Sequence, residues 1–107
     1  MIIAIPASAD KIDTLIDERF GRCPFFCLYN TQTGNHIFKK NNMKDGSGGV
    51  GLQVAEFLGN NGVDQVYAVE VGPKAEGVLE RLEIKINPVK AGQTVKSIIN
   101  LYSQKVI

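Results

Sequence analysis

Three short stretches of this chain carry residues able to do chemistry. The first is Arg19-Phe20-Gly21-Arg22-Cys23, which places a thiol close to two guanidinium groups. A nearby cation favours thiolate over thiol and can lower the Cys23 pKa, which makes Cys23 the better candidate of the two cysteines for a soft metal ligand. The second is Gly46-Ser47-Gly48-Gly49-Val50-Gly51. Backbone amides next to missing side chains can approach an anion closely. The third is Gly72-Pro73. Proline suits the first position of a helix, whose free N–H groups and positive dipole end also favour an anion.

The glycine stretch matches G-x-G-x-x-G, and Glu70 lies at the end of the following strand, as in a dinucleotide fingerprint. Two features oppose that reading. Asn41 to Asp45 separate the glycines from the preceding strand, and a second mononucleotide half is missing. A nucleotide-binding domain is therefore the weaker alternative. No Gly-Lys-Ser/Thr follows, so the loop is not a P-loop.

The remaining candidates have plainer readings. Cys27 lies in the middle of an apolar run and reads as a core residue. Along an extended strand it would sit about 13 Å from Cys23, too far to share a metal ion or a disulfide. His36 reads as a surface residue and Met43 as a surface methionine rather than a ligand. No G-x-S-x-G, H-E-x-x-H or paired-cysteine motif occurs. A metal-dependent nuclease needs carboxylates on its central strands, and Ile2-Ile3-Ala4-Ile5 has none. The expectation is a protein that is not an enzyme.

The elements that must position these residues follow from apolar periodicity. Ile2 to Ile5 reads as a buried strand ended by Pro6, and Phe25 to Tyr29 and His36 to Lys40 as a hairpin around Thr31 to Gly34. Val50, Val54, Phe57 and Leu58 share one helix face, stopped by Gly59 to Gly62. Gln65 to Val69 is the next strand. A helix opens at Pro73 with Ala75, Val78, Leu79 and Leu82 on its apolar face. Ile84 to Ile86 reads as a strand. Thr94 caps a last helix bearing Val95, Ile98, Ile99, Tyr102 and Val106.

Alternation after the hairpin implies a parallel sheet with right-handed crossovers and one added antiparallel strand. If the first strand runs upward, four loops share its upper rim: Pro6 to Asp10, Phe20 to Cys23, Gly46 to Gly51 and Glu70 to Pro73. Ligands of open α/β sheets bind at the carboxyl ends of the parallel strands. An anion held on this rim, with Arg19 and Arg22 beside it, is one reading. The other is that these glycines only make turns.

Size and charge limit the partners. The 107 residues make room for one domain, residues 1–107, with a net charge of +1 and 44% hydrophobic residues. No strong field steers the chain toward nucleic acid, and no apolar run approaches the ~20 residues that span a bilayer. Met1 to Pro6 has no basic flank and no long apolar region and does not read as a signal peptide, so the expectation for the two cysteines is free thiols in a reducing cytoplasm.

The opening Ile2 to Pro6, the block Arg19 to Phe26, and the glycine loop entering Gly51-Leu52-Gln53-Val54-Ala55-Glu56-Phe57-Leu58 follow one another in order. So do Gly62 to Val66, Val71-Gly72-Pro73-Lys74-Ala75 and Leu82 to Ile86. In this order and spacing the chain resembles the dinitrogenase iron–molybdenum cofactor biosynthesis family over almost its whole length. The resemblance implies a ribonuclease-H-like three-layer α/β/α fold with a mixed five-stranded sheet, without nuclease activity. It also implies a non-catalytic carrier for an anionic iron–sulfur or iron–molybdenum cluster, or a precursor of one.

Under that reading Cys23 ligates the cluster and Arg19 and Arg22 neutralise it. The cradle comes from Phe20, Gly21, Gly46, Ser47, Gly48, Gly49, Gly51, Gly72 and Pro73. Arg19 stands where cluster-handling members often carry His, and Cys23 where many carry a small residue. The alternative from another class is a cofactor-free module docking a cluster-assembly protein such as an ATPase.

Overall fold

The computed structural model of the protein describes residues 1–103. Its elements run β1 (Ile2–Ala7), β2 (Phe25–Asn30), β3 (His36–Lys40), α1 (Val50–Asn60), β4 (Gln65–Ala68), α2 (Pro73–Arg81), β5 (Lys85–Pro88) and α3 (Val95–Ser103). The five strands form one sheet in the order β3-β2-β1-β4-β5. β2 is antiparallel to β1 and to β3, while β1, β4 and β5 are mutually parallel. β2 is thus the single strand running against the rest, as the ribonuclease-H-like expectation requires.

Strand pleating sends alternate side chains to opposite faces. On one face Ala4, Phe26, Leu28 and Val66 pack under Val54 and Leu58 of α1 and Leu79 of α2. On the other, Ile3, Ile5, Cys27 and Tyr29 pack under Val95 and Ile98 of α3. The result is three layers, with two helices on one side and one on the other. Among the described residues no helix is long and apolar enough to cross a membrane.

Three local expectations change. Pro6 does not end β1, which continues to Ala7. Beyond the registered pair Ala4–Val66 no β4 ladder needs its missing N–H, and its carbonyl accepts the Asp17 N–H at 2.9 Å. Leu82 leaves the apolar face: it caps α2 and is 45% exposed. β5 begins one residue later than expected and extends to Pro88. Val106 lies outside the described residues.

Candidate functional site

The upper rim of the sheet holds an open cavity of about 790 Å³. Its wall takes Glu18 to Arg22 from the loop before β2, Val50 and Gly51 from the start of α1, and Glu70 to Ala75 from the β4–α2 turn. Two helix starts meet there because Gly51 lets them: a Cβ on it would lie 3.1 Å from the Ala75 Cβ. Neither helix has a side-chain cap. In α1 the first helical bond runs from the Gln53 N–H to the Gly49 carbonyl, and in α2 from the Glu76 N–H to the Gly72 carbonyl. The amides of Val50, Gly51 and Leu52, and of Lys74 and Ala75, lie ahead of those bonds, where a helix offers its free donors.

Charge on the wall is mixed. Arg19, Arg22 and Lys74 face Glu18 and Glu70. The Arg22 Nη1 donates to the Lys44 carbonyl at 2.7 Å, which holds the guanidinium beside the cavity. Arg19 donates through Nε and Nη2 to Asp17 at 3.0 and 2.9 Å. Asp17 is buried and also accepts the Arg19 N–H and the Ser8 hydroxyl.

Burial opposes the Asp17 charge, but the bonds and charge of Arg19, with the Ser8 bond, outweigh it and hold the carboxyl below its ordinary value. Its contribution to stability is therefore full above an ordinary carboxylate pKa of 3.8 and is lost as pH falls below it. Asp17→Asn is expected to be less stable than the parent in urea at pH 7. The difference should shrink as pH falls below the ordinary carboxylate value of 3.8, where the unfolded chain takes up the proton before the folded one does. A gap that is constant over this range would contradict the pairing.

Cys23 is not the exposed thiolate that its neighbours suggested. It is fully buried in the core under α1 and α2, and its Sγ donates to the Phe20 carbonyl at 3.5 Å. Burial, reinforced by the Asp17 carboxylate, pushes its pKa up to about 12. Arg19 cannot offset this, since its guanidinium is turned to Asp17. Cys27 is likewise buried, on the opposite face of the sheet, and burial pushes its pKa up to about 12. Both are free cysteines. His36 is exposed on β3, as expected, whereas Met43 packs partly against the core. Among the described residues no three His, Cys, Asp or Glu side chains come together to hold a metal ion.

Arg19, Phe20, Gly21, Arg22, Gly51, Gly72 and Pro73 surround one cavity; Gly46, Ser47, Gly48 and Gly49 do not line it. That loop instead delivers α1, with Gly49 in the left-handed region at φ 66°.

The profile of the dinitrogenase iron-molybdenum cofactor family matches residues 1–105. The chain belongs to this family. An uncharacterized protein of Methanocaldococcus jannaschii is 30% identical over 89 residues, covering 80% of this chain and 72% of its own. The apo form of the orange protein from Desulfovibrio gigas superposes with a TM-score of 0.88 at 29% identity, over 99% of this chain and 90% of that one. A putative NifB protein from Thermotoga superposes with a TM-score of 0.79 at 28% identity, over 96% and 87%. Family and neighbours agree with a cofactor-related binding or carrier role.

In this family member, local sequence pattern did not point to Lys74, Glu18, Asp17 or Asn41. Lys74 had a usable signal, as the first N–H-bearing residue after a Gly-Pro helix start. Asn41 is 1% exposed and fastens the cavity floor. Its Nδ2 donates to the Gly21 and Cys23 carbonyls at 3.0 and 2.9 Å, and its Oδ1 accepts the Met43 N–H.

Proposed function

We propose that this protein is a non-catalytic carrier for an anionic iron–sulfur or iron–molybdenum type cluster, or a precursor, and that the cavity between the starts of α1 and α2 holds it. The observation that carries this reading is the meeting of two uncapped helix starts with Arg19, Arg22 and Lys74 on one wall. Helix-start amides and guanidinium groups recognise an anion by charge and hydrogen bonds. With Cys23 in the core, the donor set suits a cluster already complete in its own ligands, held by its outer atoms. Glu18 and Glu70 lower the positive charge of the wall, which suits a large anion of modest charge better than a polyphosphate.

Anaerobic titration with a thiol-ligated iron–sulfur cluster and with isolated iron–molybdenum cofactor, followed by visible absorption and metal analysis, tests this. Uptake is expected, and Arg22→Ala combined with Lys74→Ala should weaken it at least tenfold, by roughly 1.4 kcal/mol or more. Cys23→Ala should bind within a few-fold of the parent. A protein that takes up neither cluster would refute the carrier reading. Loss of binding in a folded Cys23→Ala would restore the thiol as ligand.

A further inference from the structure

β3 is an open edge. Among the described residues it pairs only with β2, and four of its five residues are exposed. The bonds from Asn30 N–H to the Asn35 carbonyl and from Asn41 N–H to the Pro24 carbonyl fix the phase of the β2–β3 ladder. Antiparallel pairs alternate between bonded and non-bonded. Ile37 and Lys39 therefore turn their backbone groups to β2, while His36, Phe38 and Lys40 turn theirs outward.

Beside this edge lies a groove of about 400 Å³ lined by Ile2, Leu28, Ile37 and Asn61. Ile37 is 54% exposed there, on an element otherwise polar at its surface. The end of the strand is strongly basic. Lys39 and Lys40 stand opposite Phe26 and Phe25, next to Pro24, and Pro24 shares a cleft with Arg19, Arg22 and Lys44. Among the described residues Asp45 is the one carboxylate lining that cleft, paired with Lys44 at 3.2 Å. Such a concentration of cations is out of proportion to a net charge of +1.

We propose that β3 is a docking edge for an acidic, extended segment of a partner protein, which adds as a sixth strand. Backbone groups of His36, Phe38 and Lys40 supply the pairing, as in other strand-addition complexes. An apolar side chain of the segment enters the groove at Ile37. Its carboxylates meet Lys39, Lys40 and the Arg22–Lys44 cleft. The lysines that discourage a bare edge from pairing with itself select for an acidic strand. Arg19 and Arg22 border both this cleft and the anion cavity, but no residue of β3 lines that cavity, so Lys39 and Lys40 test the edge apart from cluster binding.

The test is selection of 12-residue peptides from a random display library on the full chain. The expected winners carry an apolar residue followed by consecutive Asp or Glu, because Ile37 and Lys39 share one face of β3 and Lys40 lies on the other, and they slow amide exchange at His36, Phe38 and Lys40. Their affinity should fall at least tenfold for Lys39→Glu with Lys40→Glu. It should also fall for His36→Pro, which removes an outward N–H from an exposed edge position and leaves the β2 pairing intact. The proposal is overturned by no enrichment, by winners without acidic bias, or by protection elsewhere on the chain. It is equally overturned if sedimentation shows a dimer of this chain closed through β3. Tighter binding of a single-stranded oligonucleotide to the same lysines would overturn it too.

Discussion

Asn41→Ala is expected to destabilise the protein by about 3 kcal/mol or more, because each buried polar group left without a partner costs roughly 1–3 kcal/mol. The amide is 1% exposed and serves three backbone groups: the Gly21 and Cys23 carbonyls and the Met43 N–H. Alanine leaves all three stranded between the loop before β2 and the loop before α1. Since Gly21 and Arg22 line the cavity, anion binding should weaken in the same variant.

Asn41→Asp is the sharper experiment. It preserves shape and the Met43 contact but turns an oxygen toward two carbonyls. Its carboxyl would be held neutral in the fold, with a raised pKa, so the variant should lose stability as pH rises through the ordinary carboxylate range and recover some below it. That is opposite to the pH response expected of Asp17. Urea unfolding of Asn41→Asp and of Asp17→Asn, each beside the parent, at pH 7 and at a pH below the ordinary carboxylate value of 3.8 reads the difference. An Asn41→Asp protein as stable as the parent at pH 7 would mean that Asn41 does not fasten the two loops.

Phe26→Ala should cost about 3–5 kcal/mol, lowering Tm by roughly 15 °C or more. Phe26 is the largest of the fully buried side chains, on the sheet face under α1 and α2. Its ring meets the Phe20 ring edge-on, with centroids 5.7 Å apart at 70°. Phe20 in turn lines the cavity. The core is thus continuous with the floor of the site, and a void beneath Phe20 should loosen Arg19 to Arg22 as well as the fold. Phe26→Leu, which refills most of the volume, should cost about 1.5 kcal/mol or less and keep anion binding close to the parent's. Differential scanning calorimetry with the cluster titration separates the two effects. Equal losses for Leu and Ala would show that the ring contact, not the filled volume, matters.

Much of the architecture was legible along the chain because its signals are local and periodic. The β-branched opening, the Val50–Leu58 helical spacing, the Gly-Pro start of α2 and the hairpin around Thr31 to Gly34 each specify an element within about ten residues. Right-handed crossovers then place the ends of β1 and β4 on one rim, and the cavity does form there. Pro6 and Leu82 misled for a shared reason. Whether a proline ends a strand, or a leucine is covered, depends on what lies beside it in the sheet or across the helix, and neither is a local property.

The amino-acid sequence by itself determined the order of the elements, the hand of their connections and the sharing of one rim by Arg19 to Arg22, Gly51 and Gly72-Pro73. These follow from periodicity and chirality, which act at short range. What each polar group faces depends on packing between distant segments. That packing turned Arg19 to Asp17, buried Cys23 and raised its pKa, moved Gly46 to Gly49 off the wall, and closed Asn41 over two carbonyls. The physical reason is desolvation: the charge state of a thiol or carboxylate depends on the water removed by residues distant in the chain, and spacing along the sequence does not encode that removal.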